Sequence, residues 1–63
     1  MEATVRRHLA AQAEMVLKLL ADIERFGEDA YSVSDPNETY GDLLRHVVHA
    51  MVETLEQARA QAG

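Results

Sequence analysis

The segment from Leu43 to Leu55 constrains the fold of this chain more than any other stretch. Its apolar residues come in adjacent pairs that recur every four positions. Because an α-helix turns by about 100° per residue, these pairs form one stripe that is broader than the seam of a two-stranded coiled coil. Such a stripe needs more than one neighbouring helix to cover it. Its residues are Leu43, Leu44, Val47, Val48, Met51, Val52 and Leu55.

A second helical pattern runs from Glu2 to Phe26. Apolar residues recur there at spacings of three and four, and residues of high helix propensity, many of them alanine, fill the positions between. Gly27 follows at the position of a helix C-cap glycine, and Arg25 complements the negative end of the helix dipole. The pattern predicts a first helix over about residues 2–26.

The second helix has two possible starts in the sequence. With Asp35 as the N-cap, Pro36 falls at the first helical position and Glu38 completes a capping box. Thr39, followed three residues later by Asp42, is the other candidate N-cap. Because the fixed φ of proline suits the first helical position, we predict that the helix begins at Pro36.

These boundaries predict one all-α domain over residues 1–63, with a connection at 27–35 and a second helix over about 36–61. Two helices joined by a short connection are antiparallel neighbours, that is, a two-helix hairpin. One helix covers only part of the other's stripe. We therefore expect two hairpins to stack face to face and dimerise into a four-helix bundle.

The expected interface between the two hairpins lies on the apolar faces of both helices. It consists of Val16, Leu20, Ile23, Leu44, Val47, Val48, Met51 and Leu55. The connection contributes two further apolar residues, Tyr31 and Val33. These are expected to tuck over the open end of the hairpin, near Phe26 and Tyr40.

The size of the chain also favours association. A chain of 63 residues is near the lower limit at which a single core holds without disulfides or metal. The sequence contains no cysteine, which excludes disulfides and thiolate metal sites. The stability that a small core lacks must then come from helix propensity, from oligomerisation or from a partner.

The net charge and the hydropathy of the chain limit the kinds of partner that it is expected to bind. The formal net charge of −5, from 11 acidic and 6 basic residues, argues against a general phosphate-binding surface, so nucleic acid is not expected to bind. The longest apolar run is far shorter than a membrane span. We expect a soluble cytoplasmic protein whose partners are a second copy of itself and, in addition, another protein.

The one cluster with ligand-like spacing is formed by His46, His49 and Glu53. Residues separated by three and by seven positions lie close together on a helix, and two imidazoles can then reach one metal ion. The cluster, however, lies opposite the apolar stripe of the second helix. We therefore expect these side chains to be solvated, with His49 and Glu53 stabilising the helix, and we expect no cofactor.

Acidic residues concentrate around the connection, as Glu24, Glu28, Asp29, Asp35, Glu38 and Asp42. Their spacing does not match an EF-hand loop. Helix capping and solubility explain most of these charges, while a weak cation site or a docking surface for a basic partner stays open. The basic residues Arg6, Arg7 and His8 form a patch far smaller than a nucleic-acid footprint.

The sequence predicts a small regulator, inhibitor, adaptor or subunit that acts through protein–protein contacts and is not an enzyme. Ser32 and Ser34 have no histidine near them in sequence, and the three glycines stand alone, so no nucleophilic or phosphate-binding motif is present. A regulatory nucleic-acid-binding hairpin is one alternative. Small plasmid copy-control proteins are similar in length and hairpin architecture, although none of their motifs occurs here. A metal-binding helical bundle is the other.

Overall fold

The computed structural model describes residues 2–62, and side chains up to Gln61. Met1 and Gly63 belong to the predicted domain but lie outside the described residues. Helix α1 spans Ala3–Phe26 and helix α2 spans Tyr40–Ala62, and the two helices pack against each other. The prediction of an all-helical two-helix hairpin is thereby confirmed.

The ends of α1 follow from its flanking residues. Glu2 precedes the helix in an extended conformation, and its carbonyl oxygen accepts a hydrogen bond from Arg6 N at 3.0 Å. At the other end, Gly27 adopts φ of 93° and donates its N–H to the carbonyl oxygen of Ile23 at 2.8 Å. A residue with a side chain would be strained at this φ, so glycine suits the position at which the chain leaves the helix.

Helix α2 begins at Tyr40 and not at the predicted Pro36. Thr39 caps it, because Thr39 Oγ1 accepts a hydrogen bond from Asp42 N at 3.1 Å. The Thr39 carbonyl oxygen accepts the first backbone bond of the helix, from Leu43 N at 3.0 Å. The second of the two candidate N-caps in the sequence is therefore the one that the structure uses.

The residues around Pro36 form a turn instead of a helical start. The side chain of Asp35 accepts a hydrogen bond from Asn37 N at 3.2 Å, and its carbonyl oxygen accepts one from Glu38 N at 3.1 Å. This arrangement is an Asx-turn, which competes with helix capping for the same carboxylate. Proline is equally suited to the second position of such a turn.

The connection is held by backbone pairing between its two arms. Tyr31 and Thr39 form an isolated antiparallel bridge. On either side of it, Tyr40 N donates to Ala30 O, and Ser32 N donates to Glu38 O, each at 2.9 Å. The pairing holds Glu38 and Thr39 against the other arm of the connection, so the helix starts only after Thr39.

The pairing also determines which side chains of the connection are buried. Successive side chains of an extended segment point to opposite sides. Ser32 is buried, whereas Tyr31 is 66% exposed and Val33 is 89% exposed. The expectation that Tyr31 and Val33 tuck over the end of the hairpin is wrong, because the intervening serine takes the inward position.

Two contacts define how the helices align. The rings of Phe26 and Tyr40 stack with their centroids 5.7 Å apart, at the end next to the connection. Farther along the hairpin, Gln12 Nε2 donates to Thr54 Oγ1 at 3.4 Å. In both pairs the two residue numbers add up to 66, so this rule identifies the residues of α1 and α2 that lie at the same level.

Replacing the N-cap tests the start of α2. We expect Thr39→Ala to lower the free energy of unfolding by about 1 kcal/mol, because the N–H of Asp42 loses its acceptor. Asp35→Ala is the matched control and should cost only a few tenths of a kcal/mol, since an exposed turn contact is weaker. Urea unfolding at one fixed protein concentration measures both. The reverse order would place the helix start at Pro36.

Candidate functional surfaces

The hairpin has two faces, and the connection crosses one of them. On this face lies a groove of about 500 Å³ between the helices and residues 32–35 of the connection. Helix α1 contributes Met15, Leu19 and Phe26, and α2 contributes Tyr40, Leu43 and Val47, with Lys18, Asp22 and Asp35 at the polar edge. We call this side the groove face.

The other side of the hairpin is left uncovered. In α1, Val16 and Leu20 each follow a groove residue by one position, and in α2 Leu44 and Val48 do the same. A step of one residue turns the side chain by about 100°, and in antiparallel helices both steps lead to the same side. We define the open face by this side's apolar residues: Leu9, Ala13, Val16, Leu20, Leu44, Val48, Val52 and Leu55.

Large apolar side chains of the open face are exposed to solvent. Leu20 is 46% exposed, Val48 40%, Val52 46% and Leu55 44%. The apolar side chains that the structure shows as buried, Leu19 and Tyr40, both lie along the groove. The packing between the helices therefore leaves the broad apolar stripe of α2 about half covered.

The eight residues of the predicted interface lie in three different places on the hairpin. Leu20, Val48 and Leu55 are exposed on the open face, and Val16 and Leu44 are half-buried there. Ile23 and Met51 are half-buried closer to the seam between the helices, and Val47 lines the groove. Whether these residues form an interface stays a prediction. Val52 belongs to the stripe in the sequence but was missing from the predicted interface.

The hairpin exposes more surface than a compact monomer of its mass. Its accessible area is 4945 Å² at 7.0 kDa, whereas folded monomers of that mass expose roughly 4000 Å². Its radius of gyration is 13.5 Å, against roughly 10.6 Å for a compact domain of this length. The excess follows from the rod-like shape of 41 × 16 × 15 Å.

A polar contact interrupts the apolar seam between the helices. Thr54 donates its hydroxyl to the carbonyl oxygen of Ala50 at 2.9 Å and accepts the long hydrogen bond from Gln12. Gln12 Oε1 is buried without a hydrogen-bond partner. The Gln12–Thr54 hydrogen bond joins the two helices at this level, so it favours this register over one that separates the two side chains.

The side chains of His46 and His49 are exposed to solvent. His46 Nδ1 is 3.5 Å from Glu38 Oε1, so His46 contacts the connection rather than its own helix. Within residues 2–62, no group of three histidine, cysteine or acidic side chains is arranged to hold a metal ion. His46, His49 and Glu53, which have ligand-like spacing in the sequence and were expected to be solvated, do not form such a group among the described residues.

The charge is concentrated at the end of the hairpin that carries the connection. Residues 22–42 contain seven acidic residues and one basic residue, a net charge of −6, while the remainder of the chain has four acidic and five basic residues. The ion pair Asp42–Arg45, with its nitrogen and oxygen 3.9 Å apart, is exposed and contributes little to stability. The molecule is therefore strongly asymmetric in charge along its 41 Å length.

Comparison with known proteins adds no family to this description. The chain matches no protein-family model, no curated protein sequence and no solved structure. In the described residues no helix is both long enough and apolar enough to cross a membrane.

Proposed function

We propose that this chain is a small, non-enzymatic protein–protein interaction module that first associates with a second copy of itself. Two hairpins stack through their open faces and form a four-helix bundle. The observation that supports this proposal is the row of apolar side chains along one side of both helices, of which Leu20, Val48, Val52 and Leu55 are 40–46% exposed. Soluble monomers rarely leave an apolar patch of this kind in contact with water.

The dimensions of the hairpin suit such an interface. A face of 41 Å by 16 Å gives a footprint of about 650 Å², and a standard protein–protein interface buries about 800 Å² of accessible surface on each partner. Accessible area exceeds the flat footprint because side chains protrude. Stacking along the full length of the hairpin would thus bury the area that a stable dimer requires.

In this proposal the bundle presents its acidic ends and groove faces to other proteins. A module without a catalytic cluster can regulate, inhibit or adapt a partner through such surfaces, or serve as a small subunit of an assembly. Dimerisation is the step on which these roles depend, because it completes the core of the hairpin.

The first experiment is a measurement of solution mass by light scattering, together with thermal unfolding by circular dichroism over a wide concentration range. We expect a mass twice the 7.0 kDa of one chain. The melting temperature should rise by about 5 °C for each tenfold increase in concentration, because unfolding of a dimer is coupled to its dissociation. A chain that stays monomeric, with a constant melting temperature, would overturn the proposal.

A further inference from the structure

The open face of α1 has a basic residue at one end and an acidic residue at the other. Arg6 and Glu24 are 18 positions apart, about five helical turns, so they lie on the same side of the helix. The row Leu9, Ala13, Val16 and Leu20 joins them at spacings of three and four. Both charged side chains are exposed.

On α2 a basic and an acidic residue likewise flank the apolar row, at the outer edge of the open face, although Arg45 also lies 3.9 Å from Asp42 of its own helix. Arg45 and Glu56 are 11 positions apart, about three turns, and again share one side of the helix. Val48 and Val52 lie between them at spacings of three and four. These two charged side chains are also exposed.

The two charge pairs are centred at the same level of the hairpin. Arg6 and Glu24 have their midpoint at Met15, and Arg45 and Glu56 have theirs next to Met51. By the alignment that the Phe26–Tyr40 and Gln12–Thr54 contacts define, Met15 and Met51 lie opposite each other. A single line across the open face, perpendicular to the helices, therefore passes through both midpoints.

From this coincidence we infer that the two hairpins of the proposed dimer pair head to tail, with a twofold axis along that line. The inference rests on the proposed self-association and adds the orientation of the second copy. The axis brings α1 onto α1 and α2 onto α2 of the second copy, both antiparallel. Arg6 then faces Glu24 of the second copy, and Arg45 faces its Glu56, which gives four ion pairs around the apolar centre.

The other symmetric stack brings the two connections together at one end. Its twofold axis runs parallel to the helices, so α1 lies on α2 of the second copy and residues at the same level meet. Arg6 then lies beside Arg59 of the second copy, and Glu24 lies beside its Asp42. The two segments with a net charge of −6 also share one end.

Charge decides between these two stacks because both bury the same apolar face. Exposed ion pairs add little affinity, but like charges placed against each other disfavour an arrangement and so determine orientation. In the head-to-tail stack, the positions that flank the apolar rows carry opposite charges. In the other stack, each of these positions faces a like charge or an alanine of the second copy.

Spin labels at the connection measure the orientation directly. The chain has no cysteine, so Asp29→Cys provides one labelling site at an exposed turn. In the head-to-tail dimer, the two labels lie at opposite ends, and we expect a separation near the 41 Å length of the hairpin. In the stack with joined connections they lie about 15 Å apart, because packed helices are 8–10 Å apart. A distance in that short range would overturn the inference.

Charge reversal provides an independent test in the unlabelled protein. Glu24→Arg should raise the dimer dissociation constant by roughly tenfold, because two attractive pairs in each dimer become repulsive. Combining it with Arg6→Glu should return the constant to within about threefold of the original, since opposite charges face each other again. Glu14→Arg is the matched control, because Glu14 lies on the far side of α1, and it should leave the constant unchanged.

The single variant Arg6→Glu distinguishes the two stacks by the sign of its effect. It weakens a head-to-tail dimer, because the introduced carboxylate would face Glu24 of the second copy. It strengthens the stack with joined connections, because the same carboxylate would lie beside Arg59 of the second copy. Sedimentation equilibrium at low salt measures the change. A monomeric wild-type chain would overturn both the self-association and its orientation, whereas a dimer that Arg6→Glu strengthens would overturn the orientation alone.

Discussion

Val48→Asp is expected to convert the dimer into monomers. In a single hairpin Val48 is 40% exposed, so a carboxylate at this position can stay hydrated. At the centre of a four-helix bundle it would be enclosed by apolar side chains, and a buried charge without a partner costs several kcal/mol. Each dimer would contain two such charges. We expect the dissociation constant to rise at least about 1000-fold, which corresponds to roughly 4 kcal/mol.

The matched control is Val33→Asp, which introduces the same charge on the connection. Val33 is 89% exposed and lies on the groove side of the hairpin, so its replacement should leave the mass unchanged. Light scattering gives the mass of both variants, and far-ultraviolet circular dichroism shows whether the helices persist. If Val48→Asp stays dimeric with an unchanged melting temperature, the open face is not the interface. The groove face would then be the candidate.

The helices are the part of the structure that the sequence predicts well, because their apolar residues follow the period of the helix over many turns. The start of α2 is harder to predict from the sequence. Asp35 and Thr39 are both good N-caps, and the choice between them depends on the pairing of Ser32 with Glu38 across the connection. That pairing joins the two separate arms of the connection. Local helix propensity and capping preferences therefore do not predict it.

The connection shows why short apolar patterns are ambiguous. Tyr31 and Val33 alternate with polar residues, but alternation by itself does not tell which set of side chains points inward. In the structure the backbone pairing turns Ser32 towards the helices and its two neighbours towards solvent. Two apolar residues bury too little surface to reverse this arrangement.

The exposed faces of the hairpin could also be predicted only in part from the sequence. The sequence shows that the stripe of α2 is too broad for one neighbour, but it does not show which half α1 leaves uncovered. That depends on the side on which the connection crosses the helices, which the structure places at Leu43 and Val47. Once this side is known, Arg6, Glu24, Arg45 and Glu56 can be placed around the apolar rows of the open face. Their positions in the sequence alone do not show this arrangement.

The two tyrosines offer a direct test of this account of the connection. Tyr40 is 6% exposed, and its ring stacks on that of Phe26, whereas Tyr31 is 66% exposed. We expect Tyr40→Ala to reduce the free energy of unfolding by about 3–5 kcal/mol, the usual cost of removing a buried aromatic side chain. In a protein of this size, that loss should lower the melting temperature by more than about 10 °C.

Tyr31→Ala removes the same side chain from an exposed position and should change the free energy of unfolding by less than about 0.5 kcal/mol. Thermal and urea unfolding of both variants must be compared at one protein concentration, because dissociation contributes to stability. The sequence pattern, which placed Tyr31 over the end of the hairpin near Phe26 and Tyr40, predicts a substantial loss for Tyr31→Ala as well. Equal destabilisation would show that Tyr31 packs onto the helices, and a large difference would show that the backbone pairing of the connection turns it away from them.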